Sequence, residues 1–423
     1  MSATPAAAHT HGDDEHHHHH HEDDPNVEAV APDWKDGKRY AWLLGLVVPT
    51  IPFIAWGLVE LTGLGVFWWF GPAFIFGVMP LMDQIGGNDS TNPPESVIKW
   101  LENDHFYRWC TYLFIPIQLA ATVFSAWMWS RGTLSTLEAV GLAISLGCVN
   151  GIAIADAHEL GHKREALEKW LARVALAPTF YGHFMVEHNR GHHVRVSTPE
   201  DPASSRFGES FYEFLPRTVA GSLKSAWHLE AARFKRQNKS PISLKNDIIN
   251  AWALSFVLWG ALLVAFGPSI LPYMIIQAVF GFSLLEVVNY IEHYGLLRQK
   301  KDDGRYERCQ PSHSWNANLV ASNVFLYHLQ RHSDHHAHPL RRYQVLRHFE
   351  EAPELPTGYA GMIVLSYLPP LYFRAMNRRV LDHYEGDITK ANINPRNRER
   401  ILKKWGRGDS GGSATLTPAG SAG

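Results

Sequence analysis

Nine histidines beyond the N-terminal tail stand in four compact groups: His158 and His162; His188, His192 and His193; His293 alone; and His332, His335 and His336. The spacing within the groups is helical, so each pair or triple can present its imidazoles to a common point from one helix face. One helix cannot complete a metal shell by itself. Nine nitrogens are too many for one first-row ion but suit two ions with four or five each, so the arithmetic favours a dinuclear site. Imidazole binds iron, copper, zinc and nickel alike, and the spacing does not name the metal. A neutral all-nitrogen shell leaves the ions their full positive charge, which asks for carboxylates that compensate it and fix the ring tautomers. Asp156, Glu159, Glu187, Glu292 and Asp334 lie within the groups and are the candidates for that supporting role. His183, His228, His313, His328, His338 and His348 lack such grouping and fall to supporting or surface positions.

The stretch His158-Glu159-Leu160-Gly161-His162 also matches the H-E-x-x-H pattern of zinc proteases, in which the glutamate is the general base. A protease of that kind needs one further ligand and leaves the other clustered histidines without a use. A metal transporter is a third reading, but transport sites are usually placed near the bilayer midplane.

The elements that must hold these groups are legible in the hydropathy. Nearly uncharged stretches of about 20 residues, enough to cross a bilayer core, occur at 40–61, 64–83, 109–130, 134–157, 250–267 and 270–292. Residues 158–249 and 293–405 are polar and rich in Arg, His and Glu. No alternating, strand-like pattern rivals the helical segments, so the expected fold is all-α: a polytopic membrane protein with about six transmembrane helices and a histidine-rich helical cap. The histidine groups begin where spans four and six end, which places the chemistry at one mouth of the bundle. Of 39 Lys and Arg residues, only Arg131 falls in a turn predicted to face outward. That bias puts the cap and both termini in the cytoplasm, with the spans in a bacterial inner membrane. Lys35, Lys38 and Arg39 precede the first span and no small-residue cleavage pattern follows it, so it reads as an anchor.

Residues 1–33, with Ala, acids and the run His16 to His21, cannot bury a core and read as a disordered tail or a tag. Residues 406–423 resemble a flexible linker. The working unit is then 34–405. Cys110 and Cys148 lie in spans and Cys309 is alone, so no disulfide, thiolate zinc or iron–sulfur motif is present, and any electron carrier is expected from elsewhere, a separate protein or a domain beyond the linker-like tail. A net charge of −2, with no basic stripe, gives no reason to expect nucleic acid.

Longer segments around the histidines carry a resemblance. HELGHK at 158–163, YGHFMVEHNRGHH at 181–193, TPEDPASSRFGES at 198–210, NYIEHYGLLRQK at 289–300 and LQRHSDHHAHP at 329–339 resemble the membrane alkane 1-monooxygenase family. That family is related to the fatty-acyl desaturases and hydroxylases, and NYIEHYG with its lone His293 is the segment that separates the alkane branch from them. The resemblance runs from about Tyr40 to Trp405. It implies two iron ions held by all nine clustered histidines, with O2 as co-substrate. Two electrons would arrive from rubredoxin, itself reduced by a rubredoxin reductase. The implied reaction converts an n-alkane to its primary alcohol; a fatty-acyl desaturase or hydroxylase of the same group is the alternative, and it would need a polar cradle for a headgroup. An alkane has no polar handle, so burial must bind it, at about 0.8 kcal/mol per methylene. Trp68, Pro72, Ile75, Phe76 and Met79 recur at helical spacing along span two and are expected to line that channel. Ile75 and Phe76, about 11–12 Å above Asp83 along the helix, would form its floor.

Overall fold

In the computed structural model, residues 33–406 are described; the rest of the two tails read above lies outside them. The described residues contain helices and isolated bridges but no strand. Among the described residues, six helices are long and apolar enough to span a membrane: Ala41–Thr62, Gly65–Gly86, Phe106–Ser130, Thr136–Gly161, Asp247–Phe266 and Pro268–Glu292. They are called spans one to six below.

Span four is the axis of the bundle. Ser135 and Glu138 cap its start reciprocally: the hydroxyl accepts from the Glu138 amide at 3.2 Å and the carboxylate from the Ser135 amide at 3.0 Å. It then crosses span six at closest approach through glycines. A Cβ added to Gly151 would lie 3.0 Å from the Gly281 carbonyl oxygen, so no larger residue fits that crossing. A chain of amides ties three spans together in the interior. Gln118 donates to Asn150 at 3.1 Å, Asn150 to Gln277 at 2.8 Å, and Gln277 to the Pro178 carbonyl at 2.6 Å. Without water, buried amides must find partners in each other.

Two features depart from the hydropathy reading. The segment after span four does not stay outside the bundle: helix Ala166–Leu176 packs back along it with Ala172, Ala175 and Leu176 buried. Pro178, just beyond, accepts hydrogen bonds from Trp259 and Gln277, both well inside their spans. Its polar residues hid the re-entry, because only one stripe of this helix is apolar. Span two, in turn, is not one regular helix. It runs as a 3₁₀ turn Gly65–Trp69, a short α stretch Phe70–Ala73, a π turn Phe74–Val78 and a final α stretch Met79–Gly86. A π turn inserts a residue into the helical repeat, so side chains placed on one face by a 3.6-residue period separate across it.

Span four carries His158 within its last turn, while His293 follows immediately on span six. The second group lies on the π turn His188–His192, which continues helix His183–Glu187, and on His193 just after it. The fourth lies on helix His332–Ala337. That last helix is set by an unusual approach: Tyr327 and His328 both have left-handed backbones, at φ 53° and 57°. His328 is held there by its Nδ1 donating to the Tyr343 carbonyl at 2.6 Å, by Lys38 and by the Asp89 carboxylate beyond it. Arg331, fully buried, donates to the Leu346 and Thr91 carbonyls at 2.7 Å each. The chain leading to the ligand helix is thus anchored on both sides.

Candidate metal centre

The nine histidines converge, and they sort into two groups. His158, His162, His188 and His335 bring one ligand atom each within 4.8 Å of one another, and so do His192, His293, His332 and His336. His193 stands between the groups. Its ring centroid is 4.7 Å from those of His162 and His188, 5.1 Å from that of His335 and 4.4 Å from that of His336. The π turn explains the sorting. Five residues make about one π turn, so His188 and His193 come together with Nε2 atoms 3.1 Å apart, and the intervening His192 turns toward the other group.

The donor atoms are arranged for cations. The Nε2 atoms of His158, His162, His192 and His335 are buried and have no partner in the protein. Elsewhere imidazole faces imidazole: His332 Nε2 lies 3.1 Å from His293 Nε2 and 2.8 Å from His336 Nε2. Burial first, and then the neighbouring imidazoles, hold His162, His188, His193, His332, His335 and His336 well below the usual imidazole range. The rings are therefore neutral near pH 7, with lone pairs available. Neutral imidazoles crowded in this way fit a pair of transition-metal ions.

Supporting contacts fix individual tautomers. His192 donates from Nδ1 to Asp201 Oδ2 at 2.7 Å, leaving Nε2 free to ligate. Burial would raise the Asp201 pKa, but His192 and the Ser204 hydroxyl outweigh it and bring it down to about 2. His293 donates from Nδ1 to the His313 carbonyl at 2.9 Å. Glu292 places Oε2 2.7 Å from His332 Nε2, the same nitrogen that approaches His293 and His336.

Of the five carboxylates chosen from the sequence, only Glu292 reaches an imidazole. Glu159 accepts from the Tyr343 amide and pairs with Lys163, and Glu187 pairs with Arg195 at 2.8 Å. Asp334 binds Arg341 and the Arg347 amide. Asp156 is fully buried with no hydrogen-bond partner for either oxygen. The reason is local: residues adjacent on a helix point about 100° apart, so a carboxylate next to a ligand in sequence faces away from it. Glu292 escapes this because the helix ends there, with His293 at φ −126°. The supports that sequence reasoning missed, Asp201 and the His313 carbonyl, come from segments with no helical spacing to the ligands. Asp201 stands in the TPEDPASSRFGES segment, and only that membership sets it apart.

Beside the histidine groups lies a narrow apolar cavity of about 20 Å³. Every ligand-bearing element but the π-turn segment contributes to its wall about one turn back: Ala155 before His158, Val288 before Glu292, and Leu329 before His332. Ile75 and Met79 also line it, together with Ile363 from helix Tyr359–Ser366. Trp68, Pro72 and Phe76 do not. Trp68 packs among Ala55, Met128 and Leu142, and Phe76 meets Phe280 and Tyr367 edge-on, because the π turn rotates them off the face that Ile75 and Met79 share. Asp83 does not turn to the histidine groups either; it accepts the Ser322 amide and hydroxyl at 2.8 and 2.5 Å.

A family model of fatty acid desaturases matches residues 135–366. The chain is 48% identical over 385 residues to alkane 1-monooxygenase of Acinetobacter baylyi, covering 88% of this chain and 92% of that one. The chain belongs to the alkane 1-monooxygenase family. Alkane 1-monooxygenase of Ectopseudomonas oleovorans is 46% identical, with 92% of this chain and 96% of the relative covered. The hydroxylase component of xylene/toluene monooxygenase from Pseudomonas putida is 29% identical over 56% of this chain and 63% of its own. Membership of the alkane 1-monooxygenase family makes the protein an oxidoreductase of the monooxygenase class, with O2 as co-substrate. The histidine groups, which lie within the desaturase match, are compatible with a metal centre, and the six apolar helices are consistent with a multi-pass membrane protein.

Proposed function

We propose that this chain hydroxylates the terminal carbon of n-alkanes to primary alcohols at two iron ions held by His158, His162, His188, His192, His193, His293, His332, His335 and His336. The observation that carries this reading is the narrow, wholly apolar cavity whose wall is one turn from the ligands, the end of a path that an alkyl chain would open between the spans. An unfunctionalised chain can be held there only by burial, at about 0.8 kcal/mol per methylene. Its end is then the part nearest the ions. No charged or hydroxyl side chain lines this cavity, so it offers an acyl headgroup nothing, which favours an alkane over a fatty-acyl substrate.

The bound iron pair supplies O2 activation and the oxidising power to break a terminal C–H bond. The protein's own part is positional. Ile75, Met79, Leu284, Leu285 and Ile363 exclude water and direct the methyl end upward, while Asp201 and the His313 carbonyl keep His192 and His293 in the ligating tautomer. Rubredoxin, reduced by rubredoxin reductase, is the electron donor in this reading, since the chain carries three cysteines and no paired motif. A surface groove beside the second histidine segment, with Arg190, Arg195 and Lys224 in its walls, suits a small acidic carrier. The near absence of Lys and Arg from the turns opposite the metal supports an inner-membrane protein with the cap and both termini in the cytoplasm. The unit that does this is 34–405.

The test is purification of the protein, measurement of its iron, and assay with O2, rubredoxin, reductase and an n-alkane. The expected results are two irons per chain and 1-alcohol as product. Turnover of acyl substrates with alkanes untouched, or full activity with reductase and no rubredoxin, would overturn the corresponding part.

A further inference from the structure

A second internal chamber adjoins the histidine groups from the side, and most of the residues around it carry polar or ionisable groups. Its walls are Tyr181, His183, Phe184, Glu187, His188, His192, Ala203, Ser222, Glu286 and Asn289, of which His188 and His192 are metal-ligand candidates. It has room for about one water molecule. Glu286 is buried at its back. One carboxylate oxygen accepts from Tyr181 at 2.5 Å, and the other from Thr218 at 3.0 Å and Asn289 at 3.1 Å. His183 is 4% exposed, and neither of its ring nitrogens has a protein partner. A buried imidazole with both nitrogens free is costly unless something else fills its hydrogen bonds, and the chamber it lines is where that something would sit.

The chamber also has an outer side. Glu187 separates it from the surface groove: its Oε1 accepts from Arg195 at 2.8 Å, and Arg195 donates to Ser225 at 2.7 Å in the groove wall. A short polar route thus leads from the surface past Arg195, Ser225 and Glu187 to His183, Glu286 and the ions.

We infer that this chamber, through His183 and Glu286 with intervening water, supplies protons to the metal centre. The inference rests on the monooxygenase reading above and deepens it. Hydroxylation breaks one C–H bond and the O–O bond, and forms the C–O and O–H bonds of the alcohol. The second oxygen atom leaves as water, which takes up two protons together with two electrons from the external carrier. The substrate cavity is apolar and cannot conduct those protons; the polar chamber touches the ligands from another side. The groups facing Glu286 are Tyr181 and His183 from the second histidine segment, Thr218 and Ser222 from helix Phe211–Arg236, and Asn289 of its own span. Glu187, paired with Arg195, is the remaining charged group. None of these is a strong cation aimed into the chamber, so a proton can be passed on rather than held.

The experiment compares wild type with Glu286→Gln and His183→Phe, each shaped like the residue it replaces. Both should keep wild-type iron content and a KM for alkane within about twofold. Loss of a proton-transfer group should lower kcat about tenfold or more, change its pH profile, enlarge the solvent deuterium isotope effect, and raise the electrons consumed per alcohol formed. An independent readout uses metal-free protein. The infrared difference between wild type and Glu286→Gln should contain a carboxyl band that shifts in D2O, and His183→Phe should slow that shift. Wild-type kcat, pH profile and isotope effect in both variants, or a Glu286 band that never exchanges, would overturn the proposal. Wild-type protein that does not hydroxylate alkanes would instead overturn the function reading, so the two failures are distinct. If Glu286→Gln does not fold, His183→Phe alone decides on the same readouts.

Discussion

Replacing Ile75 by Ala tests whether the cavity beside the histidine groups holds the substrate. Ile75 is almost fully buried and lines that cavity with Met79, and truncation removes all of its side chain beyond the first carbon. The space released accepts about two further methylenes of an alkane. At about 0.8 kcal/mol each, they are worth about 1.6 kcal/mol of binding, or about 15-fold in relative kcat/KM. The assay is a competition between two n-alkanes differing by two carbons, the shorter being the best wild-type substrate, with the alcohols quantified together. Preference should move to the longer chain by about that factor. Ile75→Trp should move it the opposite way by filling the same space. An emptied core site costs about 2–5 kcal/mol in stability, so iron content and Tm must be read alongside to separate a folding defect from a change in preference. Phe76→Ala is the control, because Phe76 packs on Phe280 and Tyr367 outside the cavity and should leave the profile unchanged. An unchanged profile in Ile75→Ala and Ile75→Trp, or an equal shift in Phe76→Ala, would refute the assignment of this cavity.

Other perturbations address the metal centre and its scaffold. His193→Ala should lower the affinity for both ions, because His193 stands between the groups, whereas His158→Ala should chiefly deplete one; metal analysis against free-iron concentration distinguishes them. Asp201→Asn keeps a hydrogen-bonding group near His192 Nδ1 but loses its charge, and should weaken iron binding about 10–100-fold, measured by competition with a chelator. Glu230, buried beneath Arg190, Arg233 and the Asp247 amide, titrates at about 2 rather than 4.5 because those donors outweigh the cost of burial. Its folded-state pKa lies below the unfolded one, so its contribution is complete above about 4.5 and fades as the pH falls toward 2. Glu230→Gln should therefore be less stable near neutral pH by roughly 2–3 kcal/mol and show a flatter loss of Tm on acidification. Parallel acid limbs in the two proteins would remove that role.

What the sequence determined by itself is what short range decides. A bilayer imposes its length on any uncharged run, so six spans are legible from hydropathy within a few residues of where they lie. Helical spacing likewise exposes the four histidine groups, because residues three and four apart share a face whatever the rest of the chain does. Only the tertiary structure decides how those groups combine. The division into two sets of four with His193 between them depends on a π turn at His188–His192, and another at Phe74–Val78 turns Phe76 away from the cavity that Ile75 and Met79 line. A single extra residue in one turn leaves no trace in a hydropathy profile. The carboxylates beside the ligands in sequence point elsewhere, whereas Asp201, the His313 carbonyl and Ile363 reach the site from segments with no helical register to it. The re-entry of Ala166–Leu176 follows the same logic, since only its buried stripe is apolar and the amide that meets it, Gln118 donating to the Ala175 carbonyl, sits on distant span three. Periodicity records which residues share a face; contacts between distant segments form only when the faces close on one another.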